Sequence, residues 1–202
     1  EDIDPVRFIG NRSTGRMGFA VAKEAISRGA SVTVIAGPTH IEPPAEAEVV
    51  HVRSAAEMDE AVKKYFGGSD VTVMAAAVAD YMPVKASADK IKKSEGKVTM
   101  KLVRTPDILK SLGEMKRKGQ VLVGFAAETE NLERNAFNKL KEKKLDLIAA
   151  NIVGGGRGFA SLYNELKIFG GKGLIKETGV VTKEEAAKAL FDCIVGIVIR
   201  KS

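Results

Sequence analysis

The chain is poor in the residues on which several common kinds of chemistry depend. Its single cysteine, Cys193, sits among Ala189, Leu190, Ile194 and Ile197 in a helical apolar pattern, so a disulfide framework is excluded and a catalytic thiol is not expected. There are two histidines. His51 alternates with Val50 and Val52 as a solvent-facing strand residue would, and His40 lies in a proline-containing loop, so neither suggests a base or a metal ligand. Tryptophan is absent and aromatics make up 5% of the 202 residues, without the interleaving of rings and lysines that would stack nucleic-acid bases. No apolar run approaches the ~20 residues needed to span a bilayer, and the first residues show no signal-peptide pattern. A cytoplasmic protein without a membrane partner is expected.

What is present suits one ordinary globular domain covering residues 1–202, since 45% of the chain is hydrophobic and the length allows a sizeable core. The net charge of +6 is unevenly placed. From Lys85 to Arg104 there are seven basic residues against two acidic ones, and from Arg134 to Lys144 five against one. Such clusters can serve nucleic acid, surround a polyphosphate, or simply form a solvated face.

The densest chemistry lies between Gly10 and Gly18, where Asn11, Arg12, Ser13, Thr14 and Arg16 join Gly10, Gly15 and Gly18 just before a helical apolar pattern. Met17, Ala20, Val21 and Ala25 mark that helix, starting near Thr14, with Gly29 as its stop. Unpaired N–H groups at such a start carry the positive end of the helix dipole and stabilise an anion. The stretch alone reads equally as an anion cradle or as a tight turn with Ser13 as a cap. Gly10-x4-Gly15 begins like a P-loop, but Arg16 and Met17 stand where Lys and Ser/Thr are required. Only Gly15-x-x-Gly18 of a dinucleotide fingerprint is present, and the next strand ends in Ala36-Gly37 without the acidic residue that holds a ribose. A nicotinamide oxidoreductase is therefore the weaker alternative.

Along the chain, strands are expected at 31–36, 48–53 and 70–74, with Ser54 and Glu57 as a capping box opening a helix through Met58, Val62 and Tyr65. The third strand runs into the alanines 75–77 and 79, which let a ligand approach the backbone, followed by Asp80 and Tyr81. Tyr81-x-x-x-Lys85 imitates a short-chain dehydrogenase pair, but Pro83 argues against the helix that pair needs. Residues 82–97 read as a mobile basic flap. A strand at 97–103 is followed by Thr105 as cap, Pro106 as first helical residue and an acidic Asp107. A core strand at 120–127 precedes a helix with Leu132, Ala136 and Leu140 inward, on which Lys139 and Lys143 lie four apart and can grip a phosphate chain. Then come a strand at 145–151, a glycine loop at 154–158, a hairpin from 165 to 176 and a terminal helix opened by Thr182 and Glu185. This alternation predicts an α/β fold: a doubly wound, mostly parallel, Rossmann-like sheet with helices on both faces and an antiparallel edge hairpin. Residues 1–9 supply no strand ahead of the anion loop, so an upstream first strand is expected to be missing.

Five ordered blocks, residues 4–18, 76–81, 90–93, 124–129 and 145–151, together resemble the phosphopantothenoylcysteine synthetase (phosphopantothenate–cysteine ligase) family of coenzyme A biosynthesis. The resemblance covers nearly the whole chain. It departs where Ile152 follows Asn151 in place of a frequent Asp, and in lacking the flavin-dependent decarboxylase to which such domains are often fused.

The resemblance implies a single nucleotide-binding ligase domain that joins 4′-phosphopantothenate to L-cysteine. CTP with Mg2+ activates the carboxylate as an acyl-cytidylate with release of pyrophosphate, and the cysteine amine displaces CMP. By the same resemblance, Asn11 binds the acyl carbonyl, Lys90 on the flap neutralises the reacting α-phosphate, and Arg7 contacts substrate across a homodimer interface. Nucleotide contacts fall to Asp80, the turn Val103, Arg104, Thr105 and Pro106, Phe125, Lys139 and Lys143, beside the Ser13–Gly15 cradle and the close-approach residues Ala76 and Ala77. No protein metal ligands are implied, so magnesium is expected to ride on the triphosphate, with Asp80 nearby. Nucleic acid is not an expected partner.

Overall fold

A computed structural model describes residues 1–93, 97–128, 130–152 and 161–201; Thr129, the glycine loop at 154–158 and flap residues 94–96 lie outside them. Five strands form the central sheet in the order β3 (Val71–Met74), β6 (Val121–Glu128), β7 (Leu147–Ile152), β8 (Tyr163–Gly170), β9 (Gly173–Thr182). The β3–β6 and β6–β7 pairs are parallel, and β8 and β9 close the edge as an antiparallel hairpin. A separate parallel pair joins β1 (Thr33–Ala36) to β2 (Glu48–His51), and β4 (Tyr81–Pro83) pairs antiparallel with β5 (Leu102–Arg104).

Alternation along the central strands assigns each side chain to a layer. Leu122, Ala126, Ile148 and Ala150 pack toward α2 (Ala55–Phe66), α3 (Ile108–Met115) and α4 (Leu132–Glu142), meeting Met58, Val62, Leu112, Ala136 and Leu140. Val121, Val123, Leu147, Ala149, Leu166 and Ile168 pack toward α1 (Arg16–Ser27) and α5 (Lys183–Lys201), meeting Ala20, Val21, Leu190 and Ile194. The result is the mostly parallel α/β sheet flanked on both faces that the alternating pattern predicts. Among the described residues no helix is long and apolar enough to cross a membrane.

Local chemistry sets the helix starts. Thr182 and Glu185 form a reciprocal capping box, with Glu185 N–H donating to Thr182 Oγ1 (3.2 Å) and Thr182 N–H donating to Glu185 Oε2 (2.9 Å). Ser54 accepts from Glu57 N–H at 3.1 Å, but Glu57 reaches back to Arg53 N–H, one residue before the cap. Gly113 is required by packing: a Cβ there would lie 2.0 Å from the Lys143 carbonyl oxygen, so α3 crosses the end of α4 at backbone distance.

Several expectations are corrected. α1 starts at Arg16, two residues later than Thr14, because Gly15 adopts φ +77° as its N-cap and no side chain caps it. Thr105 is not a cap: its hydroxyl and N–H bind the carbonyls of Ala79 (2.6 Å) and Asp80 (3.0 Å), while Asp107 caps α3 through Lys110 N–H (3.0 Å). Phe66 rather than Tyr65 completes the buried stripe of α2, because the Tyr65 hydroxyl donates to Glu48 at 2.8 Å. The strand expected at 97–103 is confined to Leu102–Arg104, the length that its partner β4 can pair.

Candidate active site

The segment 75–80 leaves the carboxyl end of β3, and two of the candidate segments meet its backbone. Asn11 Nδ2 donates to the carbonyls of Ala77 (3.2 Å) and Val78 (3.0 Å), which ties the Gly10–Gly18 loop to one side of it. Thr105, through the two bonds already given, ties the 103–106 turn to the other side. α1 runs close beside the exit of β3, since a Cβ on Gly18 would meet Ala75 at 3.8 Å. Ala76 and Asp80 are exposed there and Ala77 is half-buried. The uncapped start of α1, with exposed Arg12 and Arg16 around half-buried Ser13 and Gly15, adds partial positive charge beside that backbone. Phe125 of β6 is half-buried with Met17 in the layer beneath α1.

The two α4 lysines are engaged with carboxylates. Lys139 Nζ donates to Glu128 Oε1 at the end of β6 (2.7 Å), and Lys143 Nζ to Asp107 Oδ1 at the start of α3 (2.9 Å). Burial opposes ionisation of Asp107, yet the Lys143 ammonium and Lys110, with its N–H, together hold the carboxyl below its ordinary range. A polyphosphate approaching these lysines therefore competes with resident carboxylates and does not meet bare cations.

Arg7 and Lys90 form a second group. Arg7 binds the buried Asp4 carboxylate through Nε (2.9 Å) and Nη2, and Nη2 also donates to the Ile91 carbonyl at 2.7 Å. Lys90 itself is exposed. The described part of the expected flap is tied at three points: Val84 N–H to Lys101 O (3.1 Å), Ser87 N–H to Ile3 O (2.8 Å) and Ile91 N–H to Asp4 Oδ2 (3.1 Å). The Arg7 guanidinium keeps Asp4 ionised well below the usual carboxylate range, although burial pulls the other way.

In the sequence Asp4 stands out only as part of a block, Glu128 has no assigned role and Asp107 only that of an acidic first-turn residue. The Asp-x-x-Arg spacing of residues 4–7 was the one available signal. Lys183, inside the Thr182 capping box, is 5% exposed. Burial, with Arg16 adding to it, pushes its ammonium pKa down.

A family model described as the DNA/pantothenate metabolism flavoprotein C-terminal domain matches residues 1–197. The chain belongs to this family. It is 48% identical over 185 residues to the coenzyme A biosynthesis bifunctional protein CoaBC of Bacillus subtilis, covering 91% of this chain and 45% of that protein. It is 44% identical over 200 residues to a cysteine/cysteine sulfinic acid decarboxylase from an unknown prokaryotic organism, covering 98% of this chain and 56% of that protein. The crystal structure of the C-terminal domain of a CoaBC protein superposes with a TM-score of 0.84 at 39% identity, covering 99% of this chain and 91% of that one. The chain thus spans about half the length of the curated relatives it matches. Family membership agrees with the five-block resemblance, and the superposition with the α/β fold seen here.

Proposed function

We propose that this domain ligates 4′-phosphopantothenate to L-cysteine in coenzyme A biosynthesis, by way of an acyl-cytidylate formed from CTP. The observation that carries this reading is the 75–80 segment, which draws the Asn11 loop and the Thr105 turn onto one stretch of backbone at the carboxyl end of β3. Kinship with a coenzyme A biosynthesis protein supports the pathway.

In this reading the substrate carboxylate attacks the α-phosphorus of CTP and pyrophosphate leaves. Lys90 offsets the charge that gathers on the α-phosphate. Lys139 and Lys143 exchange Glu128 and Asp107 for the triphosphate. The cysteine amine then attacks the acyl carbon, and CMP departs with both bonding electrons. Asn11 meets the oxyanion of that step by trading one of its bonds to Ala77 or Val78 for the acyl oxygen. Magnesium enters this reading as the counter-ion of the triphosphate substrate, with Asp80 the adjacent carboxylate. A homodimer belongs to the proposal, supported by exposed Val6 and Phe8 on the N-terminal arm and by Leu102 and Val103 on β5. So does a fused flavin-dependent decarboxylase, supported by the greater length of the bifunctional relative.

Two variants separate the steps. Lys90→Gln is expected to lower pyrophosphate release about 100-fold, whereas Asn11→Asp keeps release within a few-fold and lowers formation of the cysteine conjugate by about 10²–10³. Full ligase activity in both variants would contradict these assignments.

A further inference from the structure

Asp4 is a carboxylate at 2% exposure, a placement that costs free energy unless its lone pairs are satisfied. Its two oxygens divide the work. Oδ1 accepts from Val6 N–H (2.9 Å) and Arg7 N–H (2.8 Å), closing a local turn. Oδ2 accepts from Arg7 Nε and Nη2 and from Ile91 N–H, which lies 87 residues away in sequence. Arg7 Nη2 completes the grip on the Ile91 carbonyl. One ion pair therefore holds both backbone polar groups of the residue that follows Lys90. The Ile91 N–H belongs to the Lys90–Ile91 peptide, so the orientation of that peptide plane, and with it the direction in which the Lys90 side chain leaves the chain, is set by Asp4.

We propose that Asp4, acting with Arg7 through Ile91, is a positioning residue for Lys90. The inference rests on the role given to Lys90 under the proposed function. A lysine on an untethered loop loses considerable freedom on engaging a phosphate; a peptide already fixed at Ile91 removes much of that cost before substrate arrives. The local turn by itself needs only Oδ1, whereas the second oxygen and the guanidinium serve the distant segment. Arg7 thereby acquires a task in the ligand-free chain distinct from contact with substrate.

Asp4→Asn tests this, because the isosteric amide offers one acceptor oxygen where two now serve. The local turn keeps that oxygen and Ile91 loses its acceptor. Hydrogen exchange of the full protein reads the clamp without reference to activity: protection of the Ile91 amide is expected to fall at least about tenfold while that of Leu122 in the core stays unchanged. Pyrophosphate release from CTP and 4′-phosphopantothenate is expected to drop about 10- to 100-fold in kcat, with KM for CTP changed less than about threefold. In a Lys90→Gln background the same substitution is expected to add less than about a twofold loss, since the residue it positions is gone. Asp4→Ala, which also removes the turn, should lose the same Ile91 protection. Unchanged Ile91 exchange, or equal rate losses with and without Lys90, would overturn the proposal. A wild-type protein that released no pyrophosphate would refute the ligase reading instead, and the exchange result would still decide whether Asp4 fixes Ile91.

Discussion

Lysine–carboxylate pairs occur at both ends of β6 and β7, and they are built differently. At the amino-terminal end Asp146 takes Lys116 Nζ (2.8 Å), Lys201 Nζ (2.7 Å) and Leu122 N–H (2.8 Å) on a side chain 13% exposed. Two cations and a backbone donor close on one acid, and they come from the end of α3, from α5 and from β6. Glu128 at the carboxyl end of β6 and Asp107 at the start of α3 each hold one lysine, beside Asn135 Nδ2 (2.8 Å) on Glu128 and the Lys110 N–H (3.0 Å) on Asp107; the Asp107 side chain is 47% exposed and that of Glu128 13%. The first arrangement locks four elements together; the second leaves each lysine one exchange away from another anion. Residue type is shared, and the number of cations on each acid separates a latch from a candidate binding surface.

The largest disturbance to this contrast is expected from Gly113→Ala, because its methyl group would overlap the Lys143 carbonyl and push apart the helices that bring Lys143 to Asp107. A loss of about 3 kcal/mol should appear as a lowered midpoint in urea. Asp146→Ala comes next. It removes the acceptor of the Leu122 N–H and leaves Lys116 and Lys201 with only the Lys144 and Gln120 carbonyls, which should cost about 2–3 kcal/mol, with kcat and the KM for CTP little changed in the protein that remains folded. Lys143→Gln and Lys139→Gln should invert that pattern. Each is expected to shift stability by less than about 1 kcal/mol while raising KM for CTP about tenfold, read from initial rates across CTP concentration.

The smallest effect is the pH dependence. Burial disfavours the charged form of Asp146, yet Lys116, Lys201 and the Leu122 N–H together hold its carboxyl below the ordinary value. A depressed carboxyl contributes its stability fully above the unfolded value of about 4 and loses it as pH falls toward the folded one. Thermal melts below about pH 4 should therefore drop less steeply in Asp146→Ala than in the wild type.

Much of the scaffold was legible because it is encoded by short-range pattern. The inward stripe Leu132, Ala136, Leu140 and the alternation through β6 and β7 are properties of neighbours in sequence, and both appear as expected. The Thr182 capping box is equally local. Partners distant along the chain were not legible. Lys143 looked like a free phosphate grip, and its carboxylate, Asp107, lies 36 residues away. The contact between Asp4 and Ile91 is longer still, and nothing in either segment signals it. Thr105 followed by Pro106 has the grammar of a helix start, but the Ala79 and Asp80 carbonyls needed donors and took it. The five blocks nominate residues for a site, while the contacts that draw Asn11 and Thr105 onto the 75–80 backbone emerge only from the fold.

The most direct test of the ligase reading is pyrophosphate release from CTP and 4′-phosphopantothenate, with and without L-cysteine. Release that requires phosphopantothenate, with cysteine needed for continued turnover to CMP and the cysteine conjugate, is the expected result. Failure to release pyrophosphate from CTP, ATP or any other nucleotide would contradict it.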